Sequence, residues 1–216
     1  SGQVDPRAEA YRDRVLIAPN HIEGGTGRIV YEETAAQQGA DSGKYIVRKG
    51  QVIYSKIRPN LRKATISPYD CLCSADMYPL QPDPTQLRTE FLLLLLLSDP
   101  FTRYAVDSSM RVAMPKINRA ALGQCWLWYP SLHEQDQILH AVSSAVMPID
   151  EVISASNRQI ALLREYRTRL IADVVTGKLD VRNVELLDFD GAGLADGVCD
   201  ANFVSDLDDD EPSDTE

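Results

Sequence analysis

Histidine is scarce in this chain, with three in 216 residues, and His21, His133 and His140 are scattered. The last two flank a helix start seven residues apart, too far for a one-turn metal pair. Cysteine is nearly as sparse. Cys71, Cys73, Cys125 and Cys199 show neither the Cys-x-x-Cys spacing of a zinc site nor the density of a disulfide framework, so free thiols in a reducing cytoplasm are expected. No glycine-rich dinucleotide or P-loop fingerprint occurs. The unbroken apolar run, Phe91 through Leu97, is far shorter than the ~20 residues a bilayer crossing needs. Neither a signal peptide nor a membrane span is therefore expected. Asp70, Asp76 and Glu90 can be grouped with Lys56 as a nuclease-like set, but their spacing fits no such pattern, and surface or capping acids are the better reading. Catalysis, a metal and a resident cofactor are all expected to be absent.

The most informative absence is local. Between Lys44 and Lys63 there is no carboxylate, while seven cations occur: Lys44, Arg48, Lys49, Lys56, Arg58, Arg62 and Lys63. The whole chain nevertheless carries a formal charge of −10. The segment from Glu185 to Glu216 supplies twelve acids and no Lys or Arg, which leaves 20 acids against 22 bases over the first 184 residues. That segment reads as a disordered solubilising tail, with DNA mimicry or autoinhibition as the lesser alternative. The basic segment points to a polyanion, or else to a solvated strand edge that deters aggregation. As a strand it would put Tyr54, Lys56 and Arg58 on one face and Ile53 and Ile57 on the other, leaving the first face to meet phosphates and base edges. Pro59 would then release Asn60 to Lys63 as a loop.

The length suits one ordinary domain plus an accessory element, and 44% hydrophobic residues suffice for a core. Because the chain opens Ser1-Gly2-Gln3 without Met, a processed piece of a longer protein is one expectation. Short strands are expected at Val15 to Ile17, Arg28 to Tyr31, Tyr45 to Val47, Gln51 to Ile57 and Gln124 to Tyr129. Asp83-Pro84-Thr85-Gln86 predicts a helix from Pro84 to Leu97, and Ser98-Asp99-Pro100 a second through Val106. Trp126 and Trp128, two apart on the last strand, are expected in the core.

From residue 131 the pattern changes. Ser131 and Glu134 form a capping box, and a long helical region follows. Alternating steps of three and four residues pick out Leu139, Val142, Val146, Ile149, Ile153, Ile160, Leu163, Leu170 and Val174, interrupted by Ser156 and Arg167. This is a heptad stripe, which at ~1.5 Å per residue would run roughly 50 Å and needs another helix to cover it. Pro148 is expected to kink the rod or divide it. Gly177 suits a left-handed cap, with Lys178 at the negative end of the dipole.

Three stretches, in order, resemble the specificity subunit of Type I restriction-modification enzymes. They are His21 through Ile29 (His-Ile-Glu-Gly-Gly-Thr-Gly-Arg-Ile), Gly50 through Lys63 followed by Cys73-Ser74-Ala75-Asp76, and Tyr129 through Gln135 leading into Leu163-Arg164-Glu165-Tyr166-Arg167 and Val175-Thr176-Gly177-Lys178-Leu179-Asp180-Val181. The resemblance implies an α+β target recognition domain over 1–130, a helical coiled-coil spacer over 131–182 and the acidic tail over 183–216. It also implies half of the familiar two-domain subunit, so either a second half is missing or the chain forms a homodimer. The implied partners are double-stranded DNA, a modification (methyltransferase) subunit and, indirectly, a restriction subunit, with S-adenosylmethionine and ATP used by those partners.

Within that frame Lys44, Arg48, Lys49 and Lys63 suit phosphates, while Arg58, Asn60 and Arg62 suit base edges because guanidinium and carboxamide groups bind guanine and adenine bidentately. Tyr54 and Lys56 would join them from the strand. Arg111, Lys116 and Asn118 would line the same groove from a second loop, whose bland alternative is a plain connection. In Gly24-Gly25-Thr26-Gly27-Arg28 a simple turn is favoured over a phosphate cradle. Two other readings compete: a helical interaction scaffold with an incidental basic strand, and a stand-alone nuclease or methyltransferase.

Overall fold

The computed structural model describes residues 2–109 and 115–182. The expectations for Arg111 and for the acidic segment 183–216 lie outside those residues. By internal contacts the chain forms two compact units, 1–153 and 154–216.

Among the described residues of the first unit, six short strands build two sheets: β1 (Leu16–Ile17), β2 (Tyr45–Val47), β3 (Val52–Ser55), β4 (Ala64–Ile66), β5 (Cys71–Cys73) and β6 (Met77–Leu80). One sheet has the order β1-β5-β2, with β1 parallel and β2 antiparallel to β5; the other, β4-β3-β6, is antiparallel throughout. With the helices this gives the expected α+β architecture. The expected strand at Arg28 to Tyr31 is reduced to a bridge between Ile22 and Ile29.

Strand β3 is central, and its β-branched Val52 and Ile53 suit a strand buried on both faces. Val52 and Tyr54 pack with Leu92, Leu96, Phe101 and Ile117, whereas Ile53 packs with Ile17, Val47, Cys73 and Met77. This overturns the exposed face expected for Tyr54. Its ring is 1% exposed and meets Phe101 edge-on at 5.3 Å between centroids. Burial pushes its phenol well above the usual range, so it serves the core and not a polyanion.

Helices α1 (Thr89–Leu97) and α2 (Asp99–Asp107) follow. The Ser98 side chain caps α2, accepting from the Phe101 amide. Helix α1 begins five residues later than expected from Pro84. Asp83 does bind Thr85 through its carboxylate, but the turn it starts is not continued, because Gln135 holds the Gln86 carbonyl and the Arg88 amide. A tertiary contact thus overrides a local cap. After the short α3 (Arg119–Gly123) the expected strand 124–129 does not form. Cys125 and Leu127 turn to the core, while Trp126 and Trp128 are 98% and 81% exposed, which corrects their expected burial.

Helix α4 (Leu132–Val175) runs unbroken through Pro148, so division into two helices is not what the structure has. Its start is the expected capping box: the Ser131 amide and hydroxyl both donate to Glu134 Oε2, at 3.1 and 2.8 Å, which lowers the Glu134 pKa. Arg88 also grips Asp136 with two bonds of 2.8 and 2.9 Å. In the second unit the helix ends at Gly177, whose φ of 73° and bond to the Val174 carbonyl make the expected left-handed cap. One stretch of α4 is, by length and composition alone, apolar enough to cross a membrane, contrary to expectation. The same helix carries Asp136, Asp150, Glu151, Arg158, Arg164, Arg167 and Arg169, which suits an amphipathic face better than a bilayer.

Candidate nucleic-acid interface

Beyond β3 the chain makes a 3-10 turn at Pro59–Leu61, bracketed by Arg58 (φ 46°) and Arg62 (φ 50°), both left-handed. They are the only non-glycine residues with positive φ among the described residues. Each costs about 1 kcal/mol relative to ordinary backbone. The surroundings hold the turn in place. The Arg58 amide donates to the Pro115 carbonyl at 2.8 Å, and the Arg62 carbonyl accepts from Gly25 at 3.0 Å.

That second bond explains the glycine turn at 24–27. A Cβ on Gly24 would stand 2.5 Å from the Leu61 carbonyl oxygen, and Gly25 and Gly27 both have φ of 77°. The glycines permit close approach of two backbones, and Thr65 adds a hydroxyl bond of 2.7 Å to the Gly27 carbonyl. Arg28 fastens the same turn to α4 through Asp150 at 3.5 Å. Gly24→Ala is therefore expected to destabilise the fold by about 1–3 kcal/mol through overpacking. The measurement is thermal unfolding, where a drop of roughly 2–10 °C is expected and an unchanged midpoint would refute the close approach.

Arg58 and Asn60 are exposed, and no side-chain partner engages either among the described residues. Arg62 is paired with Asp99 at the start of α2. Lys63 donates to the Pro19 carbonyl at 2.8 Å, and burial, then Arg58, lowers its pKa. These four form one surface. The rest of the basic segment does not join it as a continuous face. Arg48 and Lys49 are exposed in the β2–β3 turn, at the opposite end of β3 from Arg58, roughly 20 Å away at ~3.3 Å per residue. Lys44 is 7% exposed, its ammonium bound to the Ser42 carbonyl and hydroxyl at 2.8 Å each, which corrects its expected role as a free phosphate contact.

Lys56 is 8% exposed and donates to the Ala75 carbonyl, so it does not project from an open strand face as expected. Lys116 faces Asp76 at 3.8 Å. Asn118 caps α3, its side chain accepting from the Ala121 amide at 2.8 Å. Two residues overlooked in the sequence, Tyr78 and Arg119, stand beside these cations: Lys56 Nζ is 5.1 Å and Arg119 Cζ 5.6 Å from the Tyr78 ring centre. Only the position of Arg119 directly after the Asn118 cap hinted at it. Along α4 seven of the nine stripe residues are exposed, from 38% at Val142 to 66% at Leu163, while Leu139 and Val174 are half-buried. No group of three or more His, Cys, Asp or Glu among the described residues is placed to hold a metal.

A mixed α+β domain thus braces a cationic turn and leads into a long exposed helix. The family described as "Type I restriction modification DNA specificity domain" matches residues 20–161, and the chain belongs to that family. It is similar to the Type I restriction enzyme EcoDI specificity subunit of Escherichia coli, 35% identical over 169 residues, which are 78% of this chain and 37% of that protein. Its fold is similar to a chain of a solved type I R-M system, with TM-score 0.60, 22% identity, and 87% of this chain and 48% of that one covered. The HsdS subunit from Thermoanaerobacter tengcongensis gives TM-score 0.58 at 20% identity, covering 87% and 49%. The chain thus spans about half, or less, of the length of these relatives.

Proposed function

We propose that this chain reads one half-site of double-stranded DNA for a Type I restriction-modification complex and catalyses no step itself. The recognition domain is 1–130 and the helical spacer 131–182. The observation that carries this reading is the Arg58–Arg62 turn, where backbone strain is braced from two sides and residue types suited to base edges are presented to solvent. Family membership supports the DNA specificity. The modification (methyltransferase) subunit docks on the helical region and the restriction subunit joins indirectly. S-adenosylmethionine and ATP belong to those partners, and the complex works in the cytoplasm, away from membranes. Selection from a random DNA library by the chain with its modification partner should enrich one short motif; an assembled complex that enriches none would overturn the reading.

The exposed stripe supports a helical partner, either a second copy or a missing second half. Val146→Asp with Ile153→Asp should abolish self-association in sedimentation while circular dichroism retains the helix. Unchanged association by the double variant would remove the stripe from the interface. If the chain were instead a scaffold, replacing Arg58 and Arg62 by Ala would leave sequence-selective binding intact. If it were an enzyme, the purified chain would turn over with metal or methyl donor.

A further inference from the structure

Beside the arginine turn, three cations from two distant segments of the chain converge. Past β3 the backbone continues alongside 115–117: the Lys56 carbonyl accepts from Ile117 at 3.0 Å, and Ile57 bridges Lys116. This pairing brings Lys116 to Lys56, close enough that, after burial, the Lys116 charge is the next influence lowering the Lys56 pKa. Arg119, at the first position of α3, lies against the same Tyr78 ring as Lys56, and its charge also weighs on Lys56. The nearby carboxylate is Asp76, with its side chain 46% exposed. Three positive groups thus gather around one half-solvated acid and one aromatic ring. Like charges held together in a partly dry recess destabilise one another unless an anion joins them.

We propose that Lys116 and Arg119, backed by the recessed positive charge of Lys56 beside Tyr78, seat a single phosphodiester of the DNA backbone. This rests on the DNA-reading function above. Phosphate fits better than a base edge, because Lys56 is recessed and lysine ammonium groups act as point charges without the planar fork that distinguishes bases. The seat lies two residues before Arg58 on the same chain segment, so it fixes the register in which the turn meets the groove.

The test uses the complex with its modification partner and the variants Lys116→Ala, Arg119→Ala and their double. Lys56→Met, which keeps the apolar stem, is added with its unfolding temperature as a control. Each surface variant should weaken binding to recognised and unrelated duplexes by the same factor, roughly 3- to 30-fold. The dependence of log affinity on log salt should become shallower by about one unit per residue. In a scan of single methylphosphonate substitutions, one position should weaken the wild type and leave the double variant unaffected. A changed preference between sequences would overturn the seat in favour of base reading. A saturable stabilisation of the wild type by inorganic phosphate without DNA, lost in the double variant, would overturn it in favour of a free-anion site. If the wild type binds duplex and the double variant binds equally well, the seat alone fails; if the wild-type complex binds no duplex, the DNA-reading function fails with it.

Discussion

Arg58→Ala is expected to cut the discrimination between the recognised duplex and a single-mismatch duplex by about 10- to 100-fold, the worth of one bidentate base contact. Arg58→Lys should not restore it, because an ammonium keeps the charge and loses the fork. The charge contribution is separable: Lys retains affinity for unrelated DNA at low salt, whereas Ala does not. The backbone supplies a further control. Arg58 sits at φ 46°, so Arg58→Gly relieves left-handed strain and should raise stability by roughly 1 kcal/mol over Arg58→Ala while losing the same discrimination. Stability and recognition then move in opposite directions at one position. Affinities measured for matched and mismatched duplexes at fixed salt decide the matter, and full discrimination in the Ala variant removes Arg58 from base reading.

Gln135→Leu is expected to be the most destabilising single change. Gln135 is fully buried; its amide oxygen accepts from the Arg88 amide at 2.9 Å, and its nitrogen donates to the carbonyls of Gln86 at 2.9 Å and Pro130 at 2.8 Å. Leucine fills a similar volume but leaves all three backbone groups without partners, at a cost of about 3–6 kcal/mol in sum. The thermal midpoint should fall by roughly 6–20 °C. Gln135→Glu should fare little better, since a carboxylate satisfies Arg88 and confronts two carbonyls. A midpoint within a degree or two of the parent for Gln135→Leu would show that this residue does not hold the start of α4.

Local signals survived folding where local bonds decide. The Ser98 and Ser131 caps, the Gly177 terminus and strand β2 stand where the sequence pattern puts them. Alternation in β3 likewise groups Val52 with Tyr54 and sets Ile53 apart. It cannot say which face meets water, and here neither does, because α1 and α2 cover the Tyr54 side from far along the chain. The same ambiguity resolves oppositely at Trp126 and Trp128, where Leu127 takes the core. The left-handed arginines were illegible for another reason. Intrinsic preference would put Gly or Asn there, and tertiary bonds such as those to Gly25 and Pro115 hold them. The grouping of Lys56, Lys116 and Arg119 depends on pairing between distant segments, which no short-range pattern encodes.

The arginine turn is fastened through main-chain atoms: the Arg58 amide, the Arg62 carbonyl and the Leu61 carbonyl pressed against Gly24. None of these attachments passes through the side chains of residues 58 or 60. No attachment of the turn depends on those two side chains, so exchanging them changes the chemistry offered to solvent at a structural cost set mainly by the left-handed backbone at residue 58. If the turn reads DNA as proposed, a scaffold wired in this way lets new preferences arise by one or two substitutions, each testable as an altered selected motif on a melting curve displaced by no more than the ~1 kcal/mol backbone preference at residue 58.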